Sequence, residues 1–149
     1  MSCRVIRGAM GRRKPSGVAA VELALVLPLL VTIVLGVVDL GRFAYAHIAL
    51  SNAARAGADF ASVNPYTGAT EINWRTQVRQ KVASEMQPII DADQFGDADL
   101  VVTATRSVDP GSLWRVRVEA QYPFEMLVSW PLLPNRIDLR RAVEMRGIR

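Results

Sequence analysis

Gly17-Val18-Ala19-Ala20-Val21-Glu22-Leu23-Ala24-Leu25-Val26-Leu27-Pro28-Leu29-Leu30-Val31-Thr32-Ile33-Val34-Leu35-Gly36-Val37-Val38-Asp39 is the stretch that decides the fold. From Leu23 to Val38 no residue is charged, and Val18 to Val21 lengthen the apolar run. Together they reach the ~20 residues that a helix needs to cross a hydrocarbon core. Backbone groups in lipid must be satisfied within their own segment, so the stretch is helical if it inserts. Glu22 breaks the pattern one turn from its start. An unpaired carboxylate at the centre of a membrane helix costs roughly 2.5–3.5 kcal/mol or more, and less towards an end. Nothing between Val18 and Val38 offers it a positive charge. The stretch reads as a membrane anchor whose acid needs a counter-charge supplied from elsewhere.

Charge is distributed unevenly along the 149 residues. Arg4, Arg7, Arg12, Arg13 and Lys14 put five of the 18 basic side chains in the first seventeen residues, with no acid among them. The remaining 13 basic and 14 acidic residues leave −1 on residues 18–149, so the basic balance belongs to the leader and gives no reason to expect nucleic acid. A basic flank beside an apolar helix is the positive-inside signal, which places the N-terminus in the cytoplasm and the rest outside. Cys3 is the only cysteine, which excludes an intramolecular disulfide. Without its leader the chain has none, as suits an oxidising compartment.

Two processing sites compete. Ala44-Tyr45-Ala46 has the small residues of a secretory cleavage site. Against it, the apolar core is long, carries Glu22 and is followed by Asp39-Leu40-Gly41-Arg42. Arg12-Arg13 is too little for a twin-arginine signal. The other cut falls before the apolar core, between Gly17 and Val18, where a small residue closes the basic leader and the fifth residue beyond it is Glu22.

That arrangement resembles the type IV prepilin pattern. The wider stretch Val21 to Leu30, then Gly36-Val37-Val38-Asp39-Leu40-Gly41-Arg42 and Ala53-Ala54-Arg55-Ala56-Gly57-Ala58, is similar to the TadE-like proteins of the tight-adherence (Tad/Flp) pilus system. The resemblance spans roughly residues 15–62 and implies cleavage between Gly17 and Val18 by the prepilin peptidase, an aspartic membrane protease. It also implies a minor pilin or pseudopilin that docks with other pilins and the assembly platform. Relatives usually carry an aromatic after the glutamate; here Leu23 follows it, which points away from the major fibre subunit.

Physical chemistry supports the same reading of Glu22. A cut after Gly17 creates an α-amine on Val18, near the membrane surface. In a packed bundle the Glu22 carboxylate of one subunit can meet the amine of a neighbour, each neutralising the other in low dielectric. The plain alternative is an acid snorkelling at the interface of a single-pass anchor.

The chain divides into a basic leader (1–17), an N-terminal helix (18–62, its transmembrane part about 18–40) and an extracytoplasmic α+β domain (63–149). Pro28 removes a backbone donor and invites a kink. Asp39 marks the outer interface. Beyond it, Phe43, Ala46, Leu50, Ala53, Gly57 and Phe60 form an apolar stripe, with Arg42, Ser51, Asn52, Arg55, Asp59 and Ser62 around the remainder. Small residues at Ala53, Gly57 and Ala61 allow close approach of another element, either the domain's own core or a neighbouring subunit. His47 reads as packing or surface.

After the Asn64-Pro65-Tyr66-Thr67-Gly68 turn, Thr70 can cap a second helix with Glu71 in its first turn. Trp74, Val78, Val82, Met86 and Ile89 give its buried stripe, and Pro88 closes it. Asp91 to Asp99 is read as a solvated acidic loop; Phe95 and Val102 occupy positions where a calcium loop needs oxygen ligands. The period then becomes two. Leu100, Val102 and Ala104 predict a strand, Asp109-Pro110-Gly111 a turn, and Trp114, Val116, Val118, Ala120 and Tyr122 the clearest strand. Ile137, Leu139, Val143 and Met145 predict another, with Arg141 in their register, so that it reaches an edge or a bulge shifts it. The fold expected is α+β: a long helix packed with a second helix against a small antiparallel sheet of about three strands.

Phe124 to Pro134 is too apolar for a free loop and too short to span. Three roles stay open for it: packing on the core, lying at the membrane surface with Trp130 as an interfacial anchor, or docking a partner. With one histidine, no nucleophile arrangement, no phosphate loop and no metal set, nothing in the sequence points to an enzyme or a cofactor. The function expected is a minor pilin-like component of the bacterial inner membrane, possessing one span. A scaffold of the secretion machinery outside the fibre, or an exported soluble domain, are the competing classes.

Overall fold

The computed structural model describes residues 16–92, 95–108, 114–131 and 133–147. The basic leader with Cys3, Asp93 and Gln94 of the acidic loop, the Asp109-Pro110-Gly111 turn, and Leu132 lie outside the described residues.

Helix α1 runs Ser16–Val63 without interruption. Pro28 and Gly36 are both inside it. Proline cannot donate to the preceding turn, yet the helix continues, and Thr32 Oγ1 donates back to the Pro28 carbonyl at 2.8 Å. The chain divides into two units between Val37 and Val38. In the first, α1 is exposed from Gly17 to Val34. It includes a window long and apolar enough to cross a membrane, none of it buried within the chain.

The second unit has its own core. The outer part of α1 contributes Ala46, Leu50, Ala53, Ala54, Ala58 and Ala61, and helix α2 (Glu71–Ile90) contributes Trp74, Val78, Val82, Met86, Ile89 and Ile90. Strands β1 (Val101–Val108), β2 (Trp114–Glu125) and β3 (Arg136–Arg146) form an antiparallel sheet in the order β1-β2-β3. Central β2 buries Trp114, Val116, Val118, Ala120, Tyr122 and Phe124, the period-two face visible in its sequence. The small-residue stripe faces this core. A Cβ added at Gly57 would stand 2.5 Å from Val82 Cγ2 and 3.5 Å from Val118 Cγ1, so α1 meets both α2 and the sheet there.

The buried face of α1 is broader than the stripe predicted for it. Ala54 and Ala58 are fully buried, and Ser62, expected on the polar side, is 5% exposed with its hydroxyl donating to the Asp59 carbonyl at 2.8 Å. Thr70 occupies the N-cap position of α2 but makes no side-chain cap. Its hydroxyl instead accepts the Thr67 amide at 3.0 Å, closing the turn before the helix. Arg141 pairs with Ala120 in an unbroken register and is exposed; it reaches the edge, and no bulge is present in β3. His47 stacks on Phe43 with centroids 6.4 Å apart. In the acidic loop, Asp97 pairs with Arg79 at 2.9 Å and Asp91 accepts from Gln87 at 2.7 Å.

The outer face of the sheet is ionic. Arg117 Nη1 donates to Glu144 Oε1 across β2 and β3 at 2.8 Å, with Arg115 3.5 Å away on the other oxygen. The Arg117 hydrogen bond, aided by the two guanidinium charges, holds the Glu144 carboxyl below the usual carboxylate range.

Candidate processing and docking site

Gly17, Val18 and Glu22 occupy the first turns of α1. Gly17 is exposed, and a Cβ built on it meets nothing within 4 Å. Val18 is 65% exposed. Nothing in the described residues covers this peptide bond. In helical form the bond is closed to a protease cleft, so a cut there would require the first turn to open locally. Glycine lowers the cost of that opening, since it destabilises a helix by about 1 kcal/mol relative to alanine.

Glu22 is exposed and has neither a hydrogen bond nor an ion pair among the described residues. It lies four residues after Val18, on the same face and one turn away. Val18 and Glu22 are therefore neighbours on the helix surface near the start of the apolar run. Its neighbours Val18, Val21, Leu23, Leu25 and Val26 are all exposed. The geometry is that of a single anionic group exposed on an apolar helix, near its start.

A second polar centre was not legible in the sequence. Asp39, read above as an interfacial marker, is 3% exposed. Its Oδ1 accepts the Leu127 amide at 2.9 Å, and Oδ2 accepts the Val128 amide at 3.3 Å and the Trp130 indole N–H at 3.1 Å. Arg42 Nη1 stands 3.6 Å from Oδ1, and its guanidinium lies 5.4 Å from the centre of the Phe124 ring. One helix carboxylate thus anchors the β2–β3 loop. The loop base is closed by the Met126 amide on the Asn135 carbonyl at 2.9 Å and by Asn135 on Glu125 at 2.8 Å. The available signal was that Asp39 is the only acid between Glu22 and Asp59, while the apolar loop needed something to hold it.

Among the described residues, the fold and these sites define one membrane-length helix and a small α+β unit. Residues 17–59 match the family model of the TadE-like proteins. This segment is similar to the TadE-like proteins, as Gly17 to Asp39 led one to expect. No curated protein and no solved structure matches the chain.

Proposed function

We propose that this chain is a minor pilin or pseudopilin of the Tad pilus, processed between Gly17 and Val18 by the prepilin peptidase. The N-terminus starts in the cytoplasm, α1 holds the protein in the inner membrane, and the α+β unit lies outside. Its work is mechanical: it joins, caps or primes an assembly of pilins and carries no chemistry of its own. The observation that carries this reading is Glu22, exposed and without a partner among the described residues, on the apolar turns of a TadE-like helix. An acid of that kind favours insertion beside a subunit whose new α-amine can meet it, because leaving either charge alone in lipid is costly.

The processed chain offers Glu22 two amines, its own one turn away and a neighbour's. Docking requires the second. The test is Glu22→Ala, followed by crosslinking from the exposed face of α1 to other pilins. The variant is expected to be cleaved and to stay in the membrane while its crosslinks and its presence in sheared pili fall. Unchanged crosslinking would contradict docking through this acid.

A further inference from the structure

We propose that the β2–β3 loop is a second membrane contact, in which Leu127 and Leu133 enter the headgroup boundary of the bilayer beside the outer end of the apolar run. The inference rests on the reading of α1 as a membrane anchor. Connecting loops are normally polar because they run through water. This one presents Leu127 at 65% and Leu133 at 54% exposure, with Pro131 and Pro134 also exposed. Nothing among the described residues covers them.

Placement decides the occupant. Asp39 directly follows Val38, the last residue of the uncharged run, and it accepts the amides of Leu127 and Val128. A helix rises about 1.5 Å per residue, so a loop bonded at Asp39 sits within a turn of the point where the run ends. Val38 and Leu40, on either side of Asp39 in sequence, are themselves 44% and 66% exposed. Exposed apolar side chains thus stand on both sides of the residue that holds the loop, as a lipid boundary requires. Trp130 is not the inserting group: its indole N–H is taken by Asp39 and its ring is half-buried. It acts as a strut that keeps the leucines outward. Two leucines bind a bilayer weakly alone, but a tethered contact benefits from a high effective concentration. Transfer into a filament would have to withdraw them.

The test uses the full chain in vesicles of phosphatidylethanolamine and phosphatidylglycerol. In a Cys3→Ser background, an environment-sensitive fluorophore is attached through Leu127→Cys, Leu133→Cys, Val31→Cys for the anchor, or Thr105→Cys on the sheet. The probes at 127 and 133 should be blue-shifted by the bilayer, and nitroxide lipids labelled near the headgroup should quench them far more than the probe at 105. Adding Asp39→Asn should reduce quenching at 127 while leaving quenching at 31 intact. Quenching at 31 with the loop probes in water would overturn the loop contact and leave the anchor standing. A probe at 31 that escapes all lipid quenchers would remove both. Loop probes that are blue-shifted yet unquenched by lipid would mean a protein contact and would also overturn the proposal.

Discussion

The indole N–H of Trp130 donates to Asp39 Oδ2 at 3.1 Å, across 91 residues of sequence. The Leu127 and Val128 amides complete the set of donors around that carboxylate. A single side chain thereby decides where an apolar loop lies on the helix.

Removing it should be costly. Asp39→Ala leaves three donors without their acceptor in a buried position, and a loss of about 2–3 kcal/mol is expected. Trp130→Phe retains most of the ring but not the N–H, and should cost about 1 kcal/mol. Urea unfolding of the full chain in micelles measures both. Equal stability of Asp39→Ala and the parent would refute the anchoring role.

Gly57 tests how closely the helices and sheet approach. Gly57→Ala gains up to about 1 kcal/mol of helix propensity. It also drives a methyl to 2.5 Å from Val82 Cγ2, a short branched side chain with little freedom to move. Overpacking of this kind costs about 1–3 kcal/mol, so net destabilisation is expected. In a Val82→Ala background that cost should shrink, which a double-mutant cycle reads as coupling between the two positions. Additive effects would contradict the contact.

Glu144 makes a prediction about acid. Its folded-state pKa is lowered, chiefly by the Arg117 hydrogen bond. Its contribution is therefore present above the ordinary glutamate pKa and is lost as pH falls through the lowered value. Wild type should lose slightly more Tm than Glu144→Gln between neutral pH and pH ~3. The difference should be small and shrink with salt, because the pair is exposed. Identical Tm profiles at low salt would show that the pair contributes nothing.

How much of this was legible follows from what each element depends on. The membrane-length helix depends on composition and length, both local, so Gly17 to Asp39 sufficed. The central strand depends on alternation, and Trp114 to Tyr122 displays it without a break. The helix face was harder. Alanines carry little hydrophobic signal, so the predicted stripe omits Ala54 and Ala58 although both are fully buried. Ser62 was hidden by its hydroxyl, which bonds locally to Asp59 and so needs no water. Thr70 has the residue type of a cap, while the turn before it claims its hydroxyl. The sequence shows Asp39 as an interfacial acid but not as an anchor: its partners lie 88 to 91 residues away, and only the folded chain brings them together. Glu22 was legible as an anomaly because it is the one charge in the apolar run, and nothing among the described residues pairs with it.

The most direct measurement is the intact mass of the native protein extracted from membranes with and without the prepilin peptidase. With the peptidase present, a chain beginning at Val18 is expected, and its absence should return the leader. A membrane-bound chain that keeps Met1 or Ser2 when the peptidase is present would leave Glu22 without its amine and contradict the pilin reading. A chain beginning near His47 would point instead to export by signal peptidase and remove the anchor altogether.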